Sequence, residues 1–262
     1  MTGGPRSSPA DVRRFWSMDA VVFDMDGVIT DTARSHAESW ETMFNEYLAS
    51  RSERTGETLQ PFTEGDYLEF VDGKPRFDGV RSFLQSRDIE LPEGTPDDPP
   101  EWETVCGLGN RKNAFFLETL REGGADAYSS TVQLVEELKR RGVAVALITS
   151  SRNADEVLEA AGVAGLFAVK VDGNDSAELG LAGKPEPDIF LEAARRLGVS
   201  PERAVVVEDA TSGVEAGRRG GFGLVVGVDR SGQAEQLAAS GADIVVSDLG
   251  ELMVEAGEEE DG

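Results

Sequence analysis

The chain has one cysteine and one histidine in 262 residues, and five lysines against twenty arginines. Each shortage excludes something. A lone Cys106 cannot close an internal disulfide, so folding needs no oxidising compartment. With His36 far away in sequence and no activating motif nearby, Cys106 reads as a buried or incidental thiol rather than a nucleophile. Long apolar runs are missing too. Residues 1–18 mix Gly, Pro, Ser and Arg without the apolar stretch of a signal peptide or membrane span, so a cytoplasmic protein with no membrane partner is expected. Positive charge is also short. A net charge of −25 argues against nucleic acid as a partner, because phosphate backbones attract Lys and Arg surfaces. High-salt adaptation produces the same acidic, lysine-poor composition, and charge alone leaves that alternative open. An anionic substrate entering so anionic a protein needs a bound metal and a few well-placed cations.

What is present is a soluble globular composition, 39% hydrophobic with Gly and Pro spread throughout, at a length that allows two domains. One stretch organises it. Val21-Val22-Phe23-Asp24-Met25-Asp26-Gly27-Val28-Ile29-Thr30-Asp31-Thr32 is an apolar β-branched run that breaks into two carboxylates and a glycine. This is a buried strand delivering acids to its carboxyl end, where open α/β sheets place ligands. Asp24 and Asp26, two apart, point the same way, and a turn at Gly27 doubles the backbone back beside them. Such a pair suits Mg²⁺ and phosphate. The tetrapeptide Asp-x-Asp-Gly alone is equally compatible with a helix-capping turn.

Residues 1–17 read as a flexible arm before a strand at Asp19–Asp24. Ala37, Trp40, Met43, Phe44 and Tyr47 follow a helical period over Ala33–Leu48, and the polar segment Ser50–Gln60 reads as a loop. Pro61–Gly124 alternates short helical patterns with loops, and Leu91–Pro100, with four prolines, is irregular. Residues 33–128 are therefore a helical insertion in a core of 18–32 and 129–254. From Tyr128 onward the texture is βα alternation, with strands at Val143–Thr149, Phe167–Val171, Ala204–Val207, Gly223–Val228 and Ile244–Val246. Helices are expected at Thr131–Arg141, Ala154–Ala161 and Pro187–Leu197. This predicts a doubly wound parallel α/β sheet. Residues 255–262 are a solvated acidic tail.

Three further strand ends carry chemistry. Thr149-Ser150-Ser151-Arg152-Asn153 offers hydroxyls and amides at a helix start, suited to hold phosphate or simply to cap the helix. Lys184 stands between Gly183 and Pro185; by itself it is a surface lysine. Glu208 and Asp209 follow an apolar strand, and burying two adjacent acids is costly without a cation.

Asp, Thr, Lys and Glu-Asp in that order resemble the four motifs of the haloacid dehalogenase superfamily, and Asp24 to Thr32 resembles its β-phosphoglucomutase-like branch. The likeness covers about Ala20 to Leu249. It implies a Rossmann-like core with a helical cap inserted after the first strand and closing over the site. It also implies Asp24 as nucleophile, Asp26 as general acid and base, and Thr149 and Lys184 on the transferring phosphate. Mg²⁺ is implied at Asp24, the Asp26 carbonyl and Asp209, with Glu208 as a ligand or beside one.

The activity implied is phosphoryl transfer on a small phosphorylated sugar through an aspartyl phosphate. The reaction is either β-glucose 1-phosphate to glucose 6-phosphate, primed by a sugar bisphosphate, or sugar-phosphate hydrolysis. A monomer is expected. A mutase needs a second anion site, for which Ser151, Arg152 and Asn153 on the core and Arg81 and Lys112 on the cap are candidates. Thr32, His36 and Trp40 also resemble that branch; without the likeness His36 is an ordinary helix-face histidine. Arg152 stands where the branch usually has lysine. The loop Asp172–Gly183 is longer than usual and, with Asp72–Phe77 and Gly107–Asn113, resembles members beside or fused to disaccharide phosphorylases. A noncatalytic binding protein would be expected to have lost Asp24, Asp26, Lys184 or Asp209. Gly217–Gly223 lacks a dinucleotide-site spacing, and Asp172–Asp175 falls short of a calcium loop.

Overall fold

Runs of Val, Ile, Leu and Ala with no polar side to turn to solvent form strands buried on both faces. The computed structural model, which describes residues 8–253, joins six of them in one parallel sheet. They are β1 (Ala20–Asp24), β2 (Ala144–Ile148), β3 (Val169–Val171), β4 (Ala204–Glu208), β5 (Leu224–Val228) and β6 (Ile244–Val246). The order is β3-β2-β1-β4-β5-β6. The chain thus builds outward from β1 to one edge, then returns to build the other, and the switch falls between β1 and β4, where such sheets bind ligands. Register aligns Asp24 with Ile148 and Phe23 with Val207, so Asp24, Thr149 and Glu208 reach the same end of the sheet.

Eleven α-helices are described: α1 (Pro9–Trp16), α2 (Ala33–Thr55), α3 (Glu64–Asp66, running into a π-helical turn at Tyr67–Val71), α4 (Arg76–Ser86) and α5 (Val105–Gly123), followed by α6 (Ser129–Arg140), α7 (Ala154–Ala160), α8 (Gly173–Leu179), α9 (Asp188–Leu197), α10 (Thr211–Arg219) and α11 (Ala234–Ser240). Two compact units result. One comprises residues through Asp31 and from Ala125 onward, the other Thr32–Gly124. In the sheet unit, Val22, Ile148 and Val206 pack with Ile189, Phe190 and Val214 from α9 and α10. The inserted unit has its own core, in which Trp40, Met43, Phe44 and Tyr47 of α2 meet Phe62, Phe83 and Leu108. Within it the ring centroids of Phe44 and Phe83 lie 4.1 Å apart. No helix among the described residues is long and apolar enough to cross a membrane.

The fold corrects several expectations. Residues 9–16 of the expected arm are α1, started by a capping box of Ser8 and Asp11 and anchored by buried Val12 and Phe15. Residues 1–7 and the acidic tail 255–262 lie outside the described residues. Helix α2 continues seven residues past Leu48, through half of the expected loop, until Gly56 ends it at φ 76°. The expected loop Asp172–Gly183 contains α8, again set by a capping box, here Asp172 with Asp175. Helix α10 was not expected, because Gly213 and Gly217 interrupt its apolar pattern.

Candidate functional site

Strand β1 delivers Asp24, and the chain then turns back on itself. Ile29 and Thr30 donate backbone N–H groups to the Met25 carbonyl at 2.8 and 3.0 Å, and Gly27 N–H donates to the Thr30 carbonyl at 2.8 Å. Gly27 takes φ 77°, which favours glycine. Space demands glycine as well, since a Cβ there would overlap the Asp209 carboxylate. The turn and the Glu208-Asp209 strand end therefore occupy one place.

Lys184 joins the two strand ends. Its ammonium donates to Asp24 Oδ1 at 2.7 Å and to Glu208 Oε1. Glu208 Oε2 accepts the Ala210 N–H at 2.7 Å. Space for the Glu208 side chain comes from Gly213, where a Cβ would collide with it. From β2, Thr149 Oγ1 approaches Asp26 Oδ2 at 3.4 Å. The loop beyond it is braced locally: Ser151 N–H donates to Thr149 Oγ1 at 3.0 Å and Asn153 N–H to Ser151 Oγ at 3.1 Å. Gly173, at the start of α8, donates to the Ser151 carbonyl at 2.9 Å. Thr149 and Asn153 are buried, Ser150 and Ser151 are partly covered and Arg152 is exposed.

The electrostatics are those of a site short of positive charge. Burial raises the Asp24 carboxyl well above the usual carboxylate range, and Glu208 and Asp26 add to the shift against the Lys184 ammonium. Burial alone would lower Lys184, but the Asp24 and Glu208 carboxylates outweigh it and hold the ammonium protonated. Among the described residues, carboxylate oxygens of Asp24, Glu208 and Asp209 lie within 4.8 Å of one another and can hold a metal ion. These are hard oxygen donors carrying more negative charge than one lysine offsets, which fits a hard divalent cation. Both Glu208 oxygens are engaged by protein donors, Lys184 and the Ala210 N–H.

The inserted unit gathers a different set. Buried Thr32 precedes α2, and its carbonyl accepts the His36 N–H at 2.9 Å. Lys112 Nζ lies 2.6 Å from His36 Nδ1, 4.8 Å from the Phe116 ring centre and 5.4 Å from that of Trp40. Arg81 is not part of this group. It is exposed and ion-paired with Asp78 and with Glu93 at 2.7 Å. Sequence reasoning passed over Arg76, the first residue of α4, which donates to Asn110 Oδ1 at 3.1 Å on α5, the helix that carries Lys112. The available signal was the Lys-Pro-Arg string, in which proline just before a basic residue marks a helix start.

Comparison with known proteins fits this geometry. The model of the haloacid dehalogenase-like hydrolases matches residues 18–221. The chain belongs to that family. Within it, a β-phosphoglucomutase of Mycobacterium bovis is 51% identical over 238 residues, 89% of this chain and 91% of the relative. A Mycobacterium tuberculosis protein named an uncharacterized glycosyl hydrolase is 43% identical over 258 residues, covering 98% of this chain but 19% of that longer protein. A crystal structure of β-phosphoglucomutase from Clostridium difficile superposes with TM-score 0.69 at 24% identity, covering 92% of this chain and 96% of the other. That likeness establishes the fold. The chain is an enzyme of the phosphomutase or phosphatase type on the β-phosphoglucomutase-like branch of the family.

Proposed function

We propose that the chain is a Mg²⁺-dependent β-phosphoglucomutase, converting β-glucose 1-phosphate to glucose 6-phosphate. The observation that carries this choice over simple hydrolysis is the 51% identity, across nearly the full length of both chains, with a protein of that name. The site supports the chemistry. Asp24 accepts a phosphoryl group as an acyl phosphate, while Asp26 first protonates the departing oxygen and later removes the proton from the attacking hydroxyl. In a mutase cycle, phosphorylated Asp24 gives its group to O6 of β-glucose 1-phosphate. The resulting bisphosphate turns over, Asp24 takes the group on O1, and glucose 6-phosphate leaves. Lys184 neutralises charge on the transferring group, and Thr149 with the braced loop behind it donates to its oxygens. Asp24, Asp209 and the Asp26 carbonyl would hold Mg²⁺, which supplies further charge neutralisation. Lys112 and Arg76 are the cations assigned here to the second phosphate.

Phosphorus NMR with Mg²⁺ and β-glucose 1-phosphate, with and without a trace of glucose 1,6-bisphosphate, tests the proposal. Conversion to glucose 6-phosphate that needs the primer and yields little free phosphate is expected, and Asp24→Ala should abolish it. Steady release of inorganic phosphate without isomerisation would make the enzyme a sugar phosphatase instead.

A further inference from the structure

Arg230, two residues beyond β5, belongs to none of the motifs above, yet its guanidinium reaches the catalytic turn. Nε donates to the Gly27 carbonyl at 2.8 Å and Nη1 to the Ser247 carbonyl at 3.1 Å, beyond the end of β6. The guanidinium carbon lies 3.7 Å from the centre of the Tyr128 ring, a stacked cation–π contact. Tyr128 in turn donates its hydroxyl to Asp31 Oδ1 at 2.9 Å and its backbone N–H to the Ile29 carbonyl at 2.9 Å. Thus one side chain ties the ends of β5 and β6 to both ends of the turn that follows Asp26.

A glycine at the head of that turn makes such a tether useful. Gly27 has no side chain to restrict its backbone, and φ 77° is one of many conformations open to it. Its neighbour Asp26 must nevertheless present its carboxyl group in one place for proton transfer. The third donor of the fork, Nη2, is buried with no hydrogen-bond partner among the described residues. An apolar residue filling the same space would avoid that cost, so stability alone does not account for arginine here.

We propose that Arg230 is a positioning residue for Asp26, holding the Gly27 carbonyl directly and Asp31 by way of Tyr128. The inference rests on the acid–base role of Asp26 proposed above. Arg230→Ala and Arg230→Lys test it, since lysine keeps the charge but has neither the fork nor the stacking plane. A turn displaced by a fraction of an ångström should lower kcat by about 10- to 100-fold in both variants, with KM for β-glucose 1-phosphate within about threefold of wild type. Guanidinium ion added to Arg230→Ala should restore part of kcat, which relief of a merely structural defect would not do. Variants with wild-type kcat, or a kcat loss that only tracks a lost folded fraction, would overturn the proposal. Hydrogen exchange provides an arm independent of the substrate. If wild type leaves β-glucose 1-phosphate unchanged, the functional reading fails, but the amides of residues 27–31 should still exchange faster in folded Arg230→Lys. Unchanged exchange there would overturn the tether itself.

Discussion

Both units of this chain bury a lysine, and they do so in opposite ways. Lys184 is 5% exposed and Lys112 is 4% exposed, so water solvates neither. Around Lys184 stand carboxylates, Asp24 at 2.7 Å and Glu208 on its other side. Around Lys112 stand an imidazole and the faces of Trp40 and Phe116. The first cation is one member of an ionic cluster that is over-supplied with negative charge. The second counts an imidazole nitrogen and two aromatic faces among its partners, and the function proposed above offers it to the second phosphate of the substrate. Burial of a lysine thus says little by itself; the partners decide whether its charge holds the site together or serves a ligand.

Substituting each lysine by methionine, of similar length, tests the contrast. Lys184→Met strands Asp24 and Glu208 without their cation, and breaking a buried pair this way costs about 3–5 kcal/mol. Thermal denaturation should show the drop, and turnover should vanish with it. Added Mg²⁺ should recover part of the stability in the variant, because a divalent ion replaces the missing charge at the same acids. No recovery with Mg²⁺ would count against a metal at Asp24 and Asp209.

Lys112→Met should behave otherwise. A thioether among aromatic rings is a favourable neighbour, so stability should change by less than about 1.5 kcal/mol. The loss should appear in substrate binding, with KM for β-glucose 1-phosphate raised about tenfold or more, the size of one charge-assisted contact. A large loss of stability with unchanged KM would show that Lys112 is structural and erase the distinction between the two lysines.

The two settings also differed in how readily the sequence disclosed them. The acids of the carboxylate site were legible because they end apolar strands, and a polar residue after Val21-Val22-Phe23 or Ala204–Val207 stands out against its background, whereas Lys184 lies in the loop between α8 and α9. Parallel register then brings strand ends together without further information. The inserted unit has no such rule. Arg81 and Arg76 sit five residues apart near one helix start, and only side-chain packing shows that the first is bound by Asp78 and Glu93. Arg230 was illegible for a related reason: a single arginine after a strand carries no pattern until the Gly27 carbonyl is found beside it. Helices α1 and α8 were obscured by polar composition, although Ser8 with Asp11 and Asp172 with Asp175 are capping boxes readable in principle. In α10 the glycines that hid the helix are those that make space for Glu208 and Val206.

The smallest effect, and the sharpest foil to the buried cluster, lies on α9. Glu192 accepts from Arg195 and Arg196, which lower its carboxyl to about 2 from an ordinary 4.5. A carboxylate depressed on folding stabilises the native state fully above its unfolded pKa, and that contribution is lost as pH falls from about 4.5 toward about 2. Arg195 is 72% exposed, so water screens the pair, and its worth should be that of a surface ion pair, about 0.2–1 kcal/mol. Denaturant unfolding of wild type and Glu192→Gln should therefore differ by that amount near neutral pH and converge as the acid window is crossed. Salt should also separate the two kinds of charge. At roughly 1 M KCl, where screening extends over only about 3 Å, the Glu192 difference should shrink toward zero. The deficit of Lys184→Met should persist, because its charges lie where salt does not reach; if both fall together, the Lys184 cluster is more open to solvent than its burial indicates.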